Sequence, residues 1–251
     1  MEDRQRSESL SRRDLPLPVR FPSLYAPRDG FVFIVTYGRS GSTLLQAVLN
    51  TIPGWCIRGE NANALSHVCR LIADLRAEPN LHRRDEGPGD PWFGAEGVEV
   101  DMIARGLMDV FCRKVLHLPA ETRVGGFKEI RYGQDLEFLP QYLALMQEFF
   151  PRARLIFLSR NAADVARSGW FADRPAAEVM AQTAETDAAF AAYAAGHRDC
   201  FSLTYETLIQ GPEALAPLFA FLGEPMDGAA IRRVLAQRLI HAQAPADQVA
   251  G

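Results

Sequence analysis

The chain has 251 residues, a length that suits one α/β domain with a sizeable core. Apolar side chains at 48% and charged ones at 23% match the averages of folded soluble proteins, which excludes a disordered chain and a fibrous repeat. Against 31 acidic residues stand 27 basic ones, a formal charge of −4, so there is no global basic field for nucleic acid or an anionic membrane, and an anionic ligand must be held by a local site.

Residues 1–29 are polar, with Pro16, Pro18, Pro22 and Pro27, and are expected to form a flexible or docking arm. The start of the chain lacks the apolar core of a secretory signal, and no apolar run nears the roughly 20 residues of a membrane span, so a cytoplasmic location is expected. Phe31–Val35 reads as a buried strand, followed by a Gly/Ser-rich turn and a helix with Leu44, Leu45, Val48 and Leu49 on one face. Residues 78–97 are dense in breakers and charge and read as an exposed loop or lid. GGFKEI, residues 125–130, reads as a short strand end, and QYLALMQEFF as a helix ending at Pro151.

A second strand, turn and helix unit follows in LIFLSR, with Asn161 as cap and ADVARSGWF in helical spacing. Residues 176–196 are alanine-rich and predict a long helix. CFSLTYE reads as a further strand, and a helix opens at Pro212. This alternation predicts an α/β fold, a mostly parallel sheet flanked by helices, with one domain over residues 30–225 and a short helical segment over 226–251.

Cys56, Cys69, Cys112 and Cys200 are widely spaced and read as buried thiols, with neither a disulfide framework nor a zinc site. The five histidines show no metal-ligand spacing, so no metal is expected.

Gly38, Arg39, Ser40, Gly41, Ser42 and Thr43 lie where a strand turns into a helix, the place where free N–H groups and the helix dipole attract an anion. The glycines let the backbone approach a phosphate, and the hydroxyls and Arg39 add donors. An ordinary Gly/Ser turn is the alternative. The G-x-x-x-x-G-K-[ST] pattern of nucleotide triphosphatases is missing, which disfavours magnesium-dependent ATP chemistry. Arg160 ends LIFLSR at the carboxyl edge of a strand, and with Ser168 it could clamp a second phosphate, unless it serves a surface salt bridge.

TYGRSGSTLL followed by LSRNAADVARS resembles the sulfotransferases that use 3'-phosphoadenosine 5'-phosphosulfate. IRGENANAL, GFKEI, LTYETLI and FLGEP fall in the same family order, and together the matches span about residues 31–225. Arg39 in the loop and a Glu soon after resemble the bacterial, carbohydrate and tyrosylprotein branches more than the cytosolic aryl enzymes.

The resemblance implies that residues 36–45 cradle the 5'-phosphosulfate, that Arg160 and Ser168 bind the 3'-phosphate, and that Tyr205 contacts that end, a core role for the tyrosine being the alternative. Glu60 resembles the catalytic glutamate that takes the acceptor proton. A surface or capping Glu is its plain reading, and His67 is the rival base. Lys128, one of only two lysines in the chain, resembles the lysine that stabilises charge on the phosphosulfate, with Arg39 beside it. Glu129, on the opposite face of a strand, is expected to be structural or to pair with an arginine. Trp92, Phe93, Trp170 and Phe171 could line an adenine or acceptor pocket, or pack in the core.

The implied reaction is sulfuryl transfer to a hydroxyl, less readily an amine, of a carbohydrate, peptide, lipid or small metabolite. A magnesium-dependent nucleotide phosphotransferase and a non-catalytic nucleotide-binding module are the alternatives. The basic Gly-containing loop with which many sulfotransferases close over the cofactor is missing after Pro225, where Arg232, Arg233 and Arg238 are the candidate substitutes.

Overall fold

A computed structural model of the protein describes residues 15–83 and 87–243. Residues 1–14 of the expected arm and residues 244–251 of the C-terminal segment lie outside the described residues. The fold is a five-stranded, wholly parallel sheet of β1 (Phe31–Val35), β2 (Trp55–Arg58), β3 (Val124–Glu129), β4 (Arg154–Ser159) and β5 (Cys200–Thr204) in the order β2-β3-β1-β4-β5. From β1 the chain first builds one side of the sheet, then crosses to build the other from β4. A crevice therefore opens at the carboxyl end of β1, the position where open α/β sheets take their ligands.

The central strand is buried along its whole length because helices cover both faces of the sheet. Strand alternation sends Phe31, Phe33 and Val35 into one layer and Val32 and Ile34 into the other. The first layer is closed by α3 (Ala64–Ala77), α4 (Val100–Phe111), α5 (Leu139–Phe149) and α7 (Ala176–Ala195), and the second by α2 (Ser42–Leu49), α9 (Ala216–Leu222) and α10 (Gly228–Gln243). In β3 the same alternation turns Lys128 and Glu129 to opposite faces. Gly126 is required there: a Cβ would come 1.7 Å from the Val32 carbonyl oxygen of the adjoining strand.

Part of the N-terminal arm is docked. After α1 (Leu17–Arg20), Leu24 is fully buried, and the N–H groups of Ser23 and Leu24 donate to Asp109 Oδ1 at 2.7 and 3.0 Å. Just before β3, Arg123 donates to Glu224 Oε1 at 2.7 Å, to Asp29 Oδ2 at 3.0 Å and to the Pro53 carbonyl at 2.9 Å. This clamp ties loops at the amino ends of the strands.

Several elements differ from expectation. The helix after Asn161, α6 (Ala162–Ala166), stops early: Ser168 is extended, Gly169 takes a left-handed φ of 58°, and Gly169–Asp173 forms a 3-10 turn. The helix opening at Pro212 begins as a 3-10 turn, Pro212–Leu215, before α9. A short helix, α8 (Tyr205–Leu208), follows β5, and β2, α3 and α4 add to the elements read from sequence. Among the described residues no helix is long and apolar enough to cross a membrane.

Candidate active site

The carboxyl ends of the five strands converge on one cavity region. β1 leads into the loop before α2, β2 leads to Glu60, β3 carries Lys128 near its end, β4 delivers Arg160 and β5 delivers Tyr205. A cavity of about 490 Å³ opens there, walled by Gly38, Arg39, Gly41, Ser42 and Thr43 on the loop side. Glu60, Lys128 and Arg160 face the same space, Trp170 borders it, and α10 contributes Val234 and Gln237.

The loop is held in a shape that exposes its backbone. Gly41 is left-handed at φ 90°, and a Cβ there would come 2.4 Å from Cδ2 of the Tyr205 ring. Arg39 is also left-handed, at φ 65°. Thr36 Oγ1 lies 2.6 Å from the Leu158 carbonyl oxygen and 2.7 Å from Ser40 Oγ. A hydroxyl has one proton, so when Thr36 donates to Leu158 the Ser40 hydroxyl donates in return. Ser40 is thereby wholly buried and is not part of the cavity wall, unlike its neighbours. In α2 the first hydrogen bonds run from the Leu44 and Leu45 N–H groups to the Gly41 carbonyl. Among the described residues no acceptor meets the Ser42 and Thr43 N–H groups, which remain available to an anion.

A second cluster borders the loop. Arg160 Nη1 donates to the Arg39 carbonyl at 2.9 Å, and its guanidinium lies 4.4 Å from the centre of the Tyr205 ring. Its Nε is buried and has no hydrogen-bond partner among the described residues, a cost that a bound anion would remove. Arg39 Nε donates to Ser168 Oγ at 2.9 Å, and its guanidinium lies 5.5 Å from the Trp170 ring centre. The structure thus joins Arg39, Arg160, Ser168 and Tyr205 in one group, while Arg39 and Lys128 both line the cavity.

Tyr37 anchors Arg160 from below. Its hydroxyl accepts from the Arg160 N–H at 2.9 Å and lies 3.2 Å from Asp187 Oδ2 on α7. Burial, with a smaller push from the charge of Glu206, raises the Asp187 carboxyl to about 6, although the Tyr37 hydrogen bond works the other way. Burial raises the Tyr37 phenol as well.

On the other side of the loop, Lys128 Nζ and Glu60 Oε1 are 2.5 Å apart. The lysine side chain is 9% exposed and the glutamate 34%, so the pair sits at the cavity wall with Glu60 outermost. Glu60 Oε2 lies 3.6 Å from Arg131 Nη1, which also donates to Glu129 Oε1 at 2.9 Å. Glu129 is wholly buried, and its Oε2 accepts the N–H groups of Asn61 and Asn63 at 3.2 and 2.8 Å. It therefore fixes the loop that carries Glu60, where Ala62 and Asn63 both take left-handed φ values, of 57° and 58°. Sequence reasoning singled out neither Arg131 nor Tyr37.

Other candidates lie apart from this cavity. His67 is exposed on α3 and is not a wall residue. Trp92 and Phe93 do not line it either. Arg232 pairs with Glu213 at 3.2 Å, and α10 meets the cavity through Val234 and Gln237 rather than through Arg232 or Arg233. The side chain of Arg238 lies outside the described residues.

A parallel α/β sheet with an anion-receptive loop at its switch point and a carboxylate–ammonium pair beside it is an arrangement suited to group-transfer chemistry. The description of the Sulfotransferase family matches residues 32–228, and the chain belongs to that family and is a sulfotransferase. Solved structures similar to it include a sulfotransferase from Alicyclobacillus acidocaldarius, at 18% identity and a TM-score of 0.48, covering 84% of this chain and 95% of that one. Another is the sulfotransferase domain from the curacin biosynthetic pathway, at 18% identity and a TM-score of 0.47, covering 80% of this chain and 76% of that one. Comparison with curated proteins found no match.

Proposed function

We propose that the chain transfers a sulfuryl group from 3'-phosphoadenosine 5'-phosphosulfate to a hydroxyl, less readily an amine, of a carbohydrate, peptide, lipid or small metabolite. The observation that carries this reading is the Glu60–Lys128 pair in the wall of the same cavity as the Gly38–Thr43 loop. When bound, the donor supplies an electrophilic sulfur attached to a phosphate leaving group. The residues fit such a molecule: the unused N–H groups of Ser42 and Thr43 suit its 5' end, and the unpartnered Arg160 Nε, with Ser168, suits its 3'-phosphate. Arg39, whose side chain reaches Ser168, serves that same end, and Tyr205 floors it from beneath Gly41 and Arg160.

Lys128 hydrogen-bonds one oxygen of Glu60, and Oε2, which lies 3.6 Å from Arg131 Nη1 and beyond hydrogen-bond distance of it, takes the acceptor proton as the new oxygen–sulfur bond forms. The bond from sulfur to the phosphate oxygen breaks, and its electron pair leaves with that oxygen. Lys128 stabilises the charge that develops there. The loop and the Arg160 group hold the reactants in line, which removes much of the entropic cost of their encounter.

The test is the thermal shift of the purified chain with 3',5'-adenosine bisphosphate, against AMP and against ATP with magnesium. A ligand at about 100 times its Kd adds roughly 2.7 kcal/mol. Selective stabilisation by the bisphosphate is expected. Stabilisation by magnesium ATP alone would replace this reading with a phosphotransferase.

A further inference from the structure

A second cavity, of about 330 Å³, adjoins the first and shares Gly38, Ile130 and Trp170 with it. The shared rim ends next to Arg131, which faces Glu60 Oε2 at 3.6 Å. A molecule seated in the second cavity would therefore present one end to the proposed base. Resting on the sulfotransferase reading above, we infer that this cavity is the acceptor subsite and that it selects an acceptor carrying an anionic group, with Arg174 as the residue that recognises it.

The charge of the wall makes the argument. Among the described residues the ionisable ones lining the cavity are Tyr37, Arg131 and Arg174, and none is a carboxylate. Arg131 is already engaged by Glu129 at 2.9 Å. Arg174 is not: its Nη1 donates to the neutral amide of Gln182 at 3.2 Å, its guanidinium lies 5.8 Å from the Phe171 ring centre, and among the described residues no carboxylate pairs with it. An arginine held on an aromatic face with an unmatched charge is a ready partner for a carboxylate or another oxyanion.

The remaining walls suit a flat, hydroxylated molecule. Trp170, 53% exposed, and Phe171 stand at 44° to one another on one side. On α7, Thr183 and Thr186 donate to the carbonyls of Val179 and Gln182 at 2.8 Å, which leaves their lone pairs to accept from a ligand. Gly133 packs closely on α7, since a Cβ there would come 2.8 Å from Thr186 Oγ1.

The experiment measures binding of three phenols of similar size, 4-hydroxyphenylacetate, 4-ethylphenol and tyramine, by ligand-observed NMR, with the full chain both alone and saturated with 3',5'-adenosine bisphosphate. The anionic phenol is expected to bind about ten-fold more tightly than the neutral one, the scale of one charge-assisted hydrogen bond. Arg174→Gln should remove that preference, Arg174→Lys should keep part of it, and Arg174→Glu should favour tyramine, all without altering bisphosphate affinity. Equal or weaker binding of the anion, a preference that survives Arg174→Gln, or no binding of any phenol would overturn the inference. Failure of the bisphosphate to bind would instead strike the donor reading, and the phenol ratios measured without it would still decide the acceptor question.

Discussion

Glu60 Oε1 and Lys128 Nζ meet at 2.5 Å although 68 residues separate them. The pair joins the loop after β2 to the end of β3, in the cavity wall. Glu60→Gln should lower kcat by about 10²- to 10⁴-fold, the span of general-base catalysis, while leaving affinity for 3',5'-adenosine bisphosphate nearly intact. It should also cost about 1–3 kcal/mol of stability, because a largely buried ammonium loses its partner. The double variant Glu60→Gln/Lys128→Met should recover part of that Tm loss but none of the activity. Steady-state kinetics beside thermal melts would check both outcomes.

Arg160→Ala should weaken binding of the bisphosphate by about 2 kcal/mol, roughly thirty-fold, with little effect on AMP, which lacks the 3'-phosphate. Calorimetric titration with the two nucleotides reads the difference directly. Equal losses for both would assign Arg160 to the other end of the donor.

Gly41→Ala forces a side chain into a left-handed residue against the Tyr205 ring and should cost about 1–3 kcal/mol, together with donor affinity. Gly126→Ala should be worse, since the obstacle is the backbone of β1, which cannot rotate away as a ring can. The expected order of Tm is wild type, then Gly41→Ala, then Gly126→Ala.

Asp187 sets a pH signature. Its carboxyl is raised in the folded protein to about 6, above the 3.8 of an ordinary aspartate, so the folded state binds the proton more tightly than the unfolded chain. Protonation at this position therefore stabilises the fold as pH falls from about 6 towards 4, and contributes no further gain below that. Asp187→Asn should raise Tm at pH 7, and its advantage over wild type should shrink across that window. Melts at half-unit pH steps would show it.

Arg123→Ala, at the far end of the sheet, should lower Tm by removing the contacts to Glu224, Asp29 and Pro53, yet leave kcat and KM unchanged. Activity measured well below the variant's own Tm separates the two effects.

Phe31–Val35, residues 155–160 and residues 200–206 were legible as strands through their apolar and β-branched side chains, whereas residues 125–130, GGFKEI, showed only a strand end because their two glycines and two charges owe their burial to a place between β2 and β1. β2 was not legible, since Trp55–Arg58 is four residues long and ends on an arginine whose side chain donates to the carbonyls of Leu116 and His117. The loop glycines, Arg160 and Lys128 were legible because turn chemistry and strand ends are local properties. The tie between Glu60 and Lys128, and the bracing of both by Arg131 and Glu129, depend on strand order and on which face of β3 each side chain takes. The wall formed by Val234 and Gln237 depends on how α10 packs beside α2, which their three-residue spacing on a helix does not specify.

The wholly parallel sheet carries a further consequence. The loop before α2, Glu60, Lys128 and Arg160 all stand at or just beyond the carboxyl ends of strands, whereas the Arg123–Glu224–Asp29 clamp closes the amino end. Because the central strands lie between the two, the protein can change its chemistry at one pole without loosening the other. Acceptor preference is thus free to drift among descendants while the melting point is guarded elsewhere, and an engineer could strengthen the clamp first and use the reserve to remodel the opposite rim.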